Sequence, residues 1–472
     1  MAVTLISVVT KCVTAAEVKI EQAKVSTSVA MATGFKVTEA TGTTATVWAR
    51  LTREPERNVT GVKFGPKDDA LPEGRQLADM IDSAVGTSGE VRVIYGVAGA
   101  SGRTRTEWAR VALKADFTKR FQLKGLAPGT TYSVQVEGRP EKGREVTVSL
   151  TGQFVTPQSR DENLPVSFMV VTGQDYGRRD DPVNGHRIYD HMLKLKPEFF
   201  VHTGDVVYYD KAYPWAKTEE LAHYKWQATY SLPFQRNFHR NVSSYFMRDD
   251  HDSTKNDSWP GRDYGDLTWD RGLEIFQEQT GLPEKLPYRT VRWGRDLQVW
   301  MMEGRKYRSP NTMPDGPNKT IWGEKQKQWF YETVQASDAT FRVLISPTPT
   351  VGPDRKNKND NHANVGFKHE GDELRAFLAK QKNLYVVCGD RHWQYVSVDP
   401  ETGVREYACG PTSNKHAGGW KDEYRSPMHK YLKVQGGFLR VEASRKGNTP
   451  QLSFRHYDVD GNIANEEVRQ AN

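Results

Sequence analysis

Two nearly continuous apolar runs separated by an amphipathic segment limit what residues 166–205 can build. "VSFMVV" (166–171) and "EFFVHTGD" (198–205) have the composition of strands buried on both faces. Between them, "GHRIYDHMLKL" (185–195) sets Ile188, His191, Met192 and Leu195 on one helical face, and Pro197 stops the helix. Strand, helix and strand in about 40 residues form a βαβ unit, which joins its strands in parallel and needs cover on both faces. "SSYFMR", "LQVWMM", "FRVLIS", "NLYVVCG" and "VREYACG" extend the series downstream.

Open α/β sheets bind ligands beyond the carboxyl ends of their strands. The first strand here is followed by "TGQDYG" with Asp175, and the second by "GDVVYYD" with Asp205, Tyr208 and Asp210. The third leads into "DDHD" (Asp249 to Asp252), and "LYVVC" leads into "GDRHW" with Asp390 and His392. Each has a plain explanation alone: a Gly-Asp pair is a turn, "DDHD" caps a helix, and His202 and His191 are satisfied core residues. Together, four strand ends deliver the ligands of hard or borderline cations, and more carboxylates than can be buried without counter-charge.

The first part of the chain has a different character. All twelve histidines lie from His186 to His456, so acid-base and transition-metal chemistry belongs to the second part. "TATVWARL" (44–51), "GEVRVIYGV" (89–97) and "TYSVQVEGR" (131–139) alternate as half-buried strands do. The turn and tyrosine of "GLAPGTTYSVQV" resemble fibronectin type III domains, which predicts an Ig-like β-sandwich over 24–158. "TPQSRDENLP" (156–165) reads as a linker, and a second domain runs over 164–472. The opening "MAVTLISVVTKCVTAA" has the apolar length and V-x-A ending of a signal peptide, expected over 1–23 and implying export, although it lacks a basic start. A buried N-terminal strand is the alternative. If the segment is removed Cys12 goes with it, and Cys388 and Cys409 remain as reduced core thiols in place of a disulfide framework. Apolar content of 37% and mean hydropathy of -0.71 leave no mature membrane span. The net charge of +7 is spread along the chain, which gives only weak support for anionic substrates or surfaces and none for a specific nucleic-acid partner. The polar run 352–364 is the main long-loop candidate.

These residues carry a family resemblance. "GD" with a tyrosine three positions on, then "DDHD", then "GDRH" resembles the calcineurin-like metallophosphatase superfamily, in its PhoD-like (alkaline phosphatase D) branch. "EGRKYRSP" (303–310) is similar to that branch's D-x-R-x-Y-R segment, with Glu303 at the acid position, and "TIWGEKQKQWF" (320–330) to its T-x-x-G-x-x-Q-x-x-W helix start. The resemblance implies a four-layer α/β/β/α phosphatase domain holding two or more metal ions. Asp205 would bridge them, Tyr208 would ligate one, and Asp250, Asp390 and His392 would complete the shells. Gly173 stands where the family commonly has a metal-binding cysteine, and Asp175 could supply the missing anionic ligand. Loss of the thiolate puts an Fe site in doubt and leaves Mn, Zn, Mg or Ca. His362 is a substitute for a histidine that "LISPTP" lacks.

The implied chemistry is phosphate ester hydrolysis by a hydroxide bridging two metal ions, with monoesters favoured over diesters. His251 is expected to protonate the leaving alkoxide, with Asp252 orienting its ring. Arg391 would contact a phosphate oxygen or form a structural ion pair. The substrate is a small or polymeric phosphate ester. Two alternatives stand beside this: a noncatalytic cell-surface or polymer-binding protein on a relic phosphatase fold, and a hydrolase of sulfate esters or nucleic-acid diesters.

Overall fold

The βαβ unit forms as its sequence implies. Strand Val166–Val171, helix Ile188–Lys194 and strand Phe199–His202 follow in order, with the strands parallel and Phe199 opposite Phe168. The computed structural model describes residues 28–283, 287–355 and 357–471, so the expected signal segment 1–23 and Cys12 lie outside the described residues. The helix is short, and its buried side chains are Ile188, Tyr189 and Met192. Tyr189 takes the inward place expected for His191, because seven residues make too few turns for periodicity to fix the face.

Three sheets organise the described residues. The largest has nine strands, in the order Ile463–Gln470, Thr449–Asp458, Gly437–Lys446, Val166–Val171, Phe199–His202, Ser243–Phe246, Phe35–Thr38, Thr44–Arg50 and Thr118–Lys124. A seven-stranded sheet contains Leu297–Met301, Phe341–Ser346, Leu384–Cys388 and Arg405–Cys409, paired in parallel in that order. The third holds Gly89–Val97, Thr131–Arg139 and Val148–Val155, with two short strands beside Gly89–Val97.

Alternation along the strands assigns the cores. Phe168, Val170, Phe199 and Val201 point from the nine-stranded sheet toward Val299, Val343, Ile345 and Val387 of the seven-stranded one. On the opposite face, Met169, Val171 and Phe200 pack beneath helices Ile188–Lys194 and Pro233–His239. Trp300, Leu344 and Val386 pack beneath helices Glu324–Gln335 and Lys368–Ala379. A separate core joins Val37, Val47 and Phe121 to Val93, Val134 and Phe154, so the N-terminal region is β-rich and packs sheet on sheet. Tyr132 accepts the Ala127 N–H at 2.8 Å, the contact expected of its turn. The two regions also share a sheet, since Thr38 pairs in parallel with Ser244. Cys388 and Cys409 are buried free thiols. Among the described residues, no helix is long and apolar enough to cross a membrane.

Candidate metal centre

Asp205 leaves strand Phe199–His202 through a turn that only glycine allows. Gly204 has φ of 122°, and a Cβ there would fall 2.5 Å from the Asp249 Cβ. The turn therefore lies directly against "DDHD". Asp205 itself has φ of 57°, and Asp390, after Gly389, has φ of 60°. Left-handed backbone costs a non-glycine residue about 1–2 kcal/mol, and such strain gathers at functional sites.

That turn brings three side chains together. Asp205 Oδ2 accepts the Tyr208 hydroxyl at 3.0 Å, and its Oδ1 accepts the His251 N–H at 3.3 Å. Ligand atoms of Asp205, Asp250 and His251, all buried, lie within 4.8 Å of one another. Asp250 Oδ2 accepts the Asp257 N–H at 2.5 Å, and its Oδ1 stands 3.7 Å from Arg305 Nη2. Arg305 also holds Asp249. The "EGRKYR" segment fixes that arginine: Glu303 accepts the N–H groups of Arg305 and Lys306 at 2.8 and 3.0 Å, and pairs with Arg248 at 2.9 Å.

A second group meets Tyr208 from the other side. His392 Nε2 is 3.4 Å from the Tyr208 hydroxyl, and the His392 and His416 rings lie 4.0 Å apart. Gly173 closes this side with φ of 58°, and a Cβ there would be 3.2 Å from the Tyr208 hydroxyl and 3.3 Å from His392 Nε2. Position 173 thus points into the cluster. His416 Nδ1 donates to the Gly173 carbonyl at 3.0 Å, which leaves Nε2 with its lone pair. The sequence reading stopped at the strand "VREYACG" and missed His416, yet it follows that strand's end as the other candidates follow theirs.

Several expected side chains are engaged differently. Asp252 does not orient His251: its two oxygens accept the N–H groups of Val206 at 2.9 Å and Asp249 at 2.7 Å, tying the two acidic turns together. The imidazole partner is Asp210, whose Oδ1 is 2.5 Å from His251 Nδ1. Arg391 is buried, bonds Asp354 at 2.6 Å and contacts Asp390, so it follows the ion-pair alternative. Asp175 accepts the Gly177 N–H at 2.9 Å and pairs with Arg178 at 3.3 Å. His362 is buried against Trp322, with Nε2 2.9 Å from Glu370 on helix Lys368–Ala379.

Crowded carboxylates set the electrostatics. Burial pushes the Asp205 carboxyl well up, and Asp250, Asp249 and Asp252 add to the shift. Burial, then the charges of Asp205 and Asp175, does the same to the Tyr208 hydroxyl. Burial raises Asp249 to about 7 against the pull of Arg305. Burial alone would lower His251, but Asp250 and Asp210 outweigh it and raise the imidazole. Burial depresses His392 well below the ordinary value and His416 to about 4, keeping both rings neutral.

The pattern of PhoD-like phosphatases matches residues 168–449, more than half of the chain. The chain belongs to the PhoD-like phosphatase family. This PhoD-like phosphatase is accordingly a metal-dependent phosphoric ester hydrolase. A solved structure of PhoD is 15% identical, with a TM-score of 0.71 over 94% of this chain and 90% of that one. The purple acid phosphatase PPD1 from yellow lupin (Lupinus luteus) seeds is 10% identical, with a TM-score of 0.65 over 92% of this chain and 73% of that one. At those identities the likeness is one of fold. No curated protein matches the sequence.

The metal ions that the family implies fit the residues present. Asp249 Oδ2 is buried with neither a hydrogen-bond partner nor an ion pair among the described residues, and Asp250 Oδ1 and Asp390 Oδ2 have only the guanidinium groups of Arg305 and Arg391 beside them. Orphaned carboxylate oxygens are costly unless a cation compensates them. Neutral imidazoles and a raised phenol beside them complete a donor set that divalent ions reward by displacing protons.

Proposed function

We propose that this PhoD-like phosphatase hydrolyses phosphate monoesters in preference to diesters at these strand ends. The convergence of buried Asp205, Asp250 and His251 beside Tyr208 carries the reading. The cavity bordering Tyr208 offers room for an ester substituent.

Asp205, Tyr208, Asp250, Asp390 and His392 would hold the metal ions, with Asp205 between them. We assign His416, in preference to Asp175, to the side that Gly173 leaves without a thiolate. Oxygen and nitrogen donors without sulfur favour Mn, Zn, Mg or Ca. Bound divalent ions supply charge neutralisation at phosphorus and an acidified water. The protein supplies the rest. Asp210 fixes the ring through Nδ1 and, with Asp250, favours the protonated imidazolium, so His251 has a proton at Nε2 to give the leaving oxygen. Arg305 holds Asp249 and keeps Asp250 ionised.

We read a four-layer α/β/β/α catalytic domain over 164–472 and an Ig-like, fibronectin type III-type sandwich over 24–158, in an exported protein. The core clusters on both faces of the two large sheets support the first, and the Tyr132 contact supports the second. Matched mono- and diesters of the same alcohol, assayed with metal content measured on the same samples, test the substrate preference. A diester turned over faster than its matched monoester would reverse it.

A further inference from the structure

A cavity of about 470 Å³ opens beside the metal centre, with Tyr208 and Asp175 in its wall. Arg57, Val59, Lys63, Phe64, Ile81 and Asp82 of the N-terminal region form part of its wall, and helix Glu219–Tyr230 also lines it. The N-terminal part of the chain, which has no histidine, therefore reaches the site.

The charges in this cavity do not balance. Its two carboxylates are already paired, Asp82 with Arg57 at 3.1 Å and Asp175 with Arg178 at 3.3 Å. Lys63, Arg179 and Lys225 also line it, and among the described residues none of them makes a close ion pair, although Asp175 and Asp210 act on Lys225 at longer range. Lys225 is buried and donates to the carbonyls of Lys211 at 3.0 Å and Ala212 at 3.5 Å, so its ammonium keeps a proton to give. Arg179 stacks 4.0 Å over the Tyr176 ring and donates to the Tyr176 and Pro182 carbonyls. Thr229 Oγ1, in the same lining, is buried without a hydrogen-bond partner among the described residues.

The rim is apolar. Val59 and Val183 are 65% exposed and Tyr213 is 61% exposed, three of the large hydrophobic side chains that this surface leaves uncovered. Exposed apolar groups around a pocket mark a binding site more often than they mark wasted surface.

We propose that this cavity is the leaving-group site, built for an organic phosphate whose apolar or aromatic body carries a second anionic group. The scissile phosphoryl group sits at the metal centre, the body packs against the aromatic and valine rim, and the second anion meets Lys63, Arg179 and Lys225. This rests on the phosphoesterase reading and deepens it: binding energy gained away from phosphorus selects the ester. The weak anionic preference suggested by the net charge thereby acquires a location.

The test uses 4-carboxyphenyl phosphate and its neutral counterpart, 4-carbamoylphenyl phosphate, with the metal-loaded full chain at low ionic strength. Lys63 is exposed, so Lys63→Gln removes its charge at little cost to the fold. The expected result is a loss of about three- to tenfold in kcat/KM for the carboxylated ester. The carbamoyl ester should stay within about twofold, and Arg179→Gln should shift the same ratio in the same direction. Turnover of both esters with a ratio unmoved by either variant would overturn the leaving-group site and leave the phosphoesterase reading intact. Failure of the parent enzyme to hydrolyse either ester would refute that reading, and this assignment with it.

Discussion

Asp205 concentrates the conflict that defines this site. Its carboxylate is buried among three others in a backbone conformation that disfavours it. A carboxyl whose folded pKa is raised gives its full stability below the unfolded value, and that stability is lost as pH rises. In chelator at pH 8, Asp205→Asn should therefore melt higher than the parent protein, while turnover and bound metal fall, turnover on the order of a hundredfold or more. A lower melting temperature would show that the carboxylate is not under this strain. His251 is read as the proton donor, and a general acid matters more for a basic leaving group. His251→Ala should slow alkyl phosphates by about 100-fold or more and nitrophenyl phosphate far less, with metal content unchanged. Asp210→Asn should reproduce the selectivity in weaker form. Equal losses on both substrates would remove the role, and loss of metal would make His251 a ligand. That Asp205, Tyr208, Asp250 and His392 gather in one place was legible because each lies in the turn after a buried strand. Asp210 was not legible as the imidazole's partner, since that pairing depends on how two turns fold together. Asp252, adjacent in sequence, faces the backbone instead.

At the scale of elements, the site depends on two sheets held face to face. Phe199 stacks on Phe168 at 4.5 Å and on Trp293 at 4.6 Å, joining the strand that delivers Asp205 to the opposite sheet. Phe199→Ala should cost about 3–5 kcal/mol, read from denaturant unfolding. Turnover per folded molecule should change little, because the cavity lies at the far end of that strand. A cost below about 1 kcal/mol would show that this contact does not hold the sheets together. Strands were readable from pattern: the buried Val166–Val171 from its apolar composition, and the half-buried Gly89–Val97 and Thr131–Arg139 from their alternation. The Gly437–Lys446, Thr449–Asp458 and Ile463–Gln470 strands were not, because they mix charges with apolar residues. Ile463–Gln470 forms the edge of the nine-stranded sheet and the other two lie next in from it, and each carries partly exposed positions, so only part of each strand needs burial.

Across the whole molecule, buried neutral histidines set an acid limit to stability. Burial lowers His186 to about 3 and His456 to about 4. An unfolded chain would protonate both near pH 6.5 while the folded chain does not, so their contribution is full above that pH and is lost as pH falls toward 3–4. Unfolding free energy should therefore decline between pH 6.5 and 4, and His456→Gln should flatten that decline. An unchanged slope in the variant would remove His456 from the account. The larger claim is that one shared fold gathers strand ends from the catalytic part into a metal-dependent phosphoesterase. Metal content and phosphate release, measured on the same protein before chelation, after it, and after divalent ions are returned, test this most directly. The account predicts that the two fall together and recover together. Undiminished phosphate release from protein shown to be free of metal would contradict it.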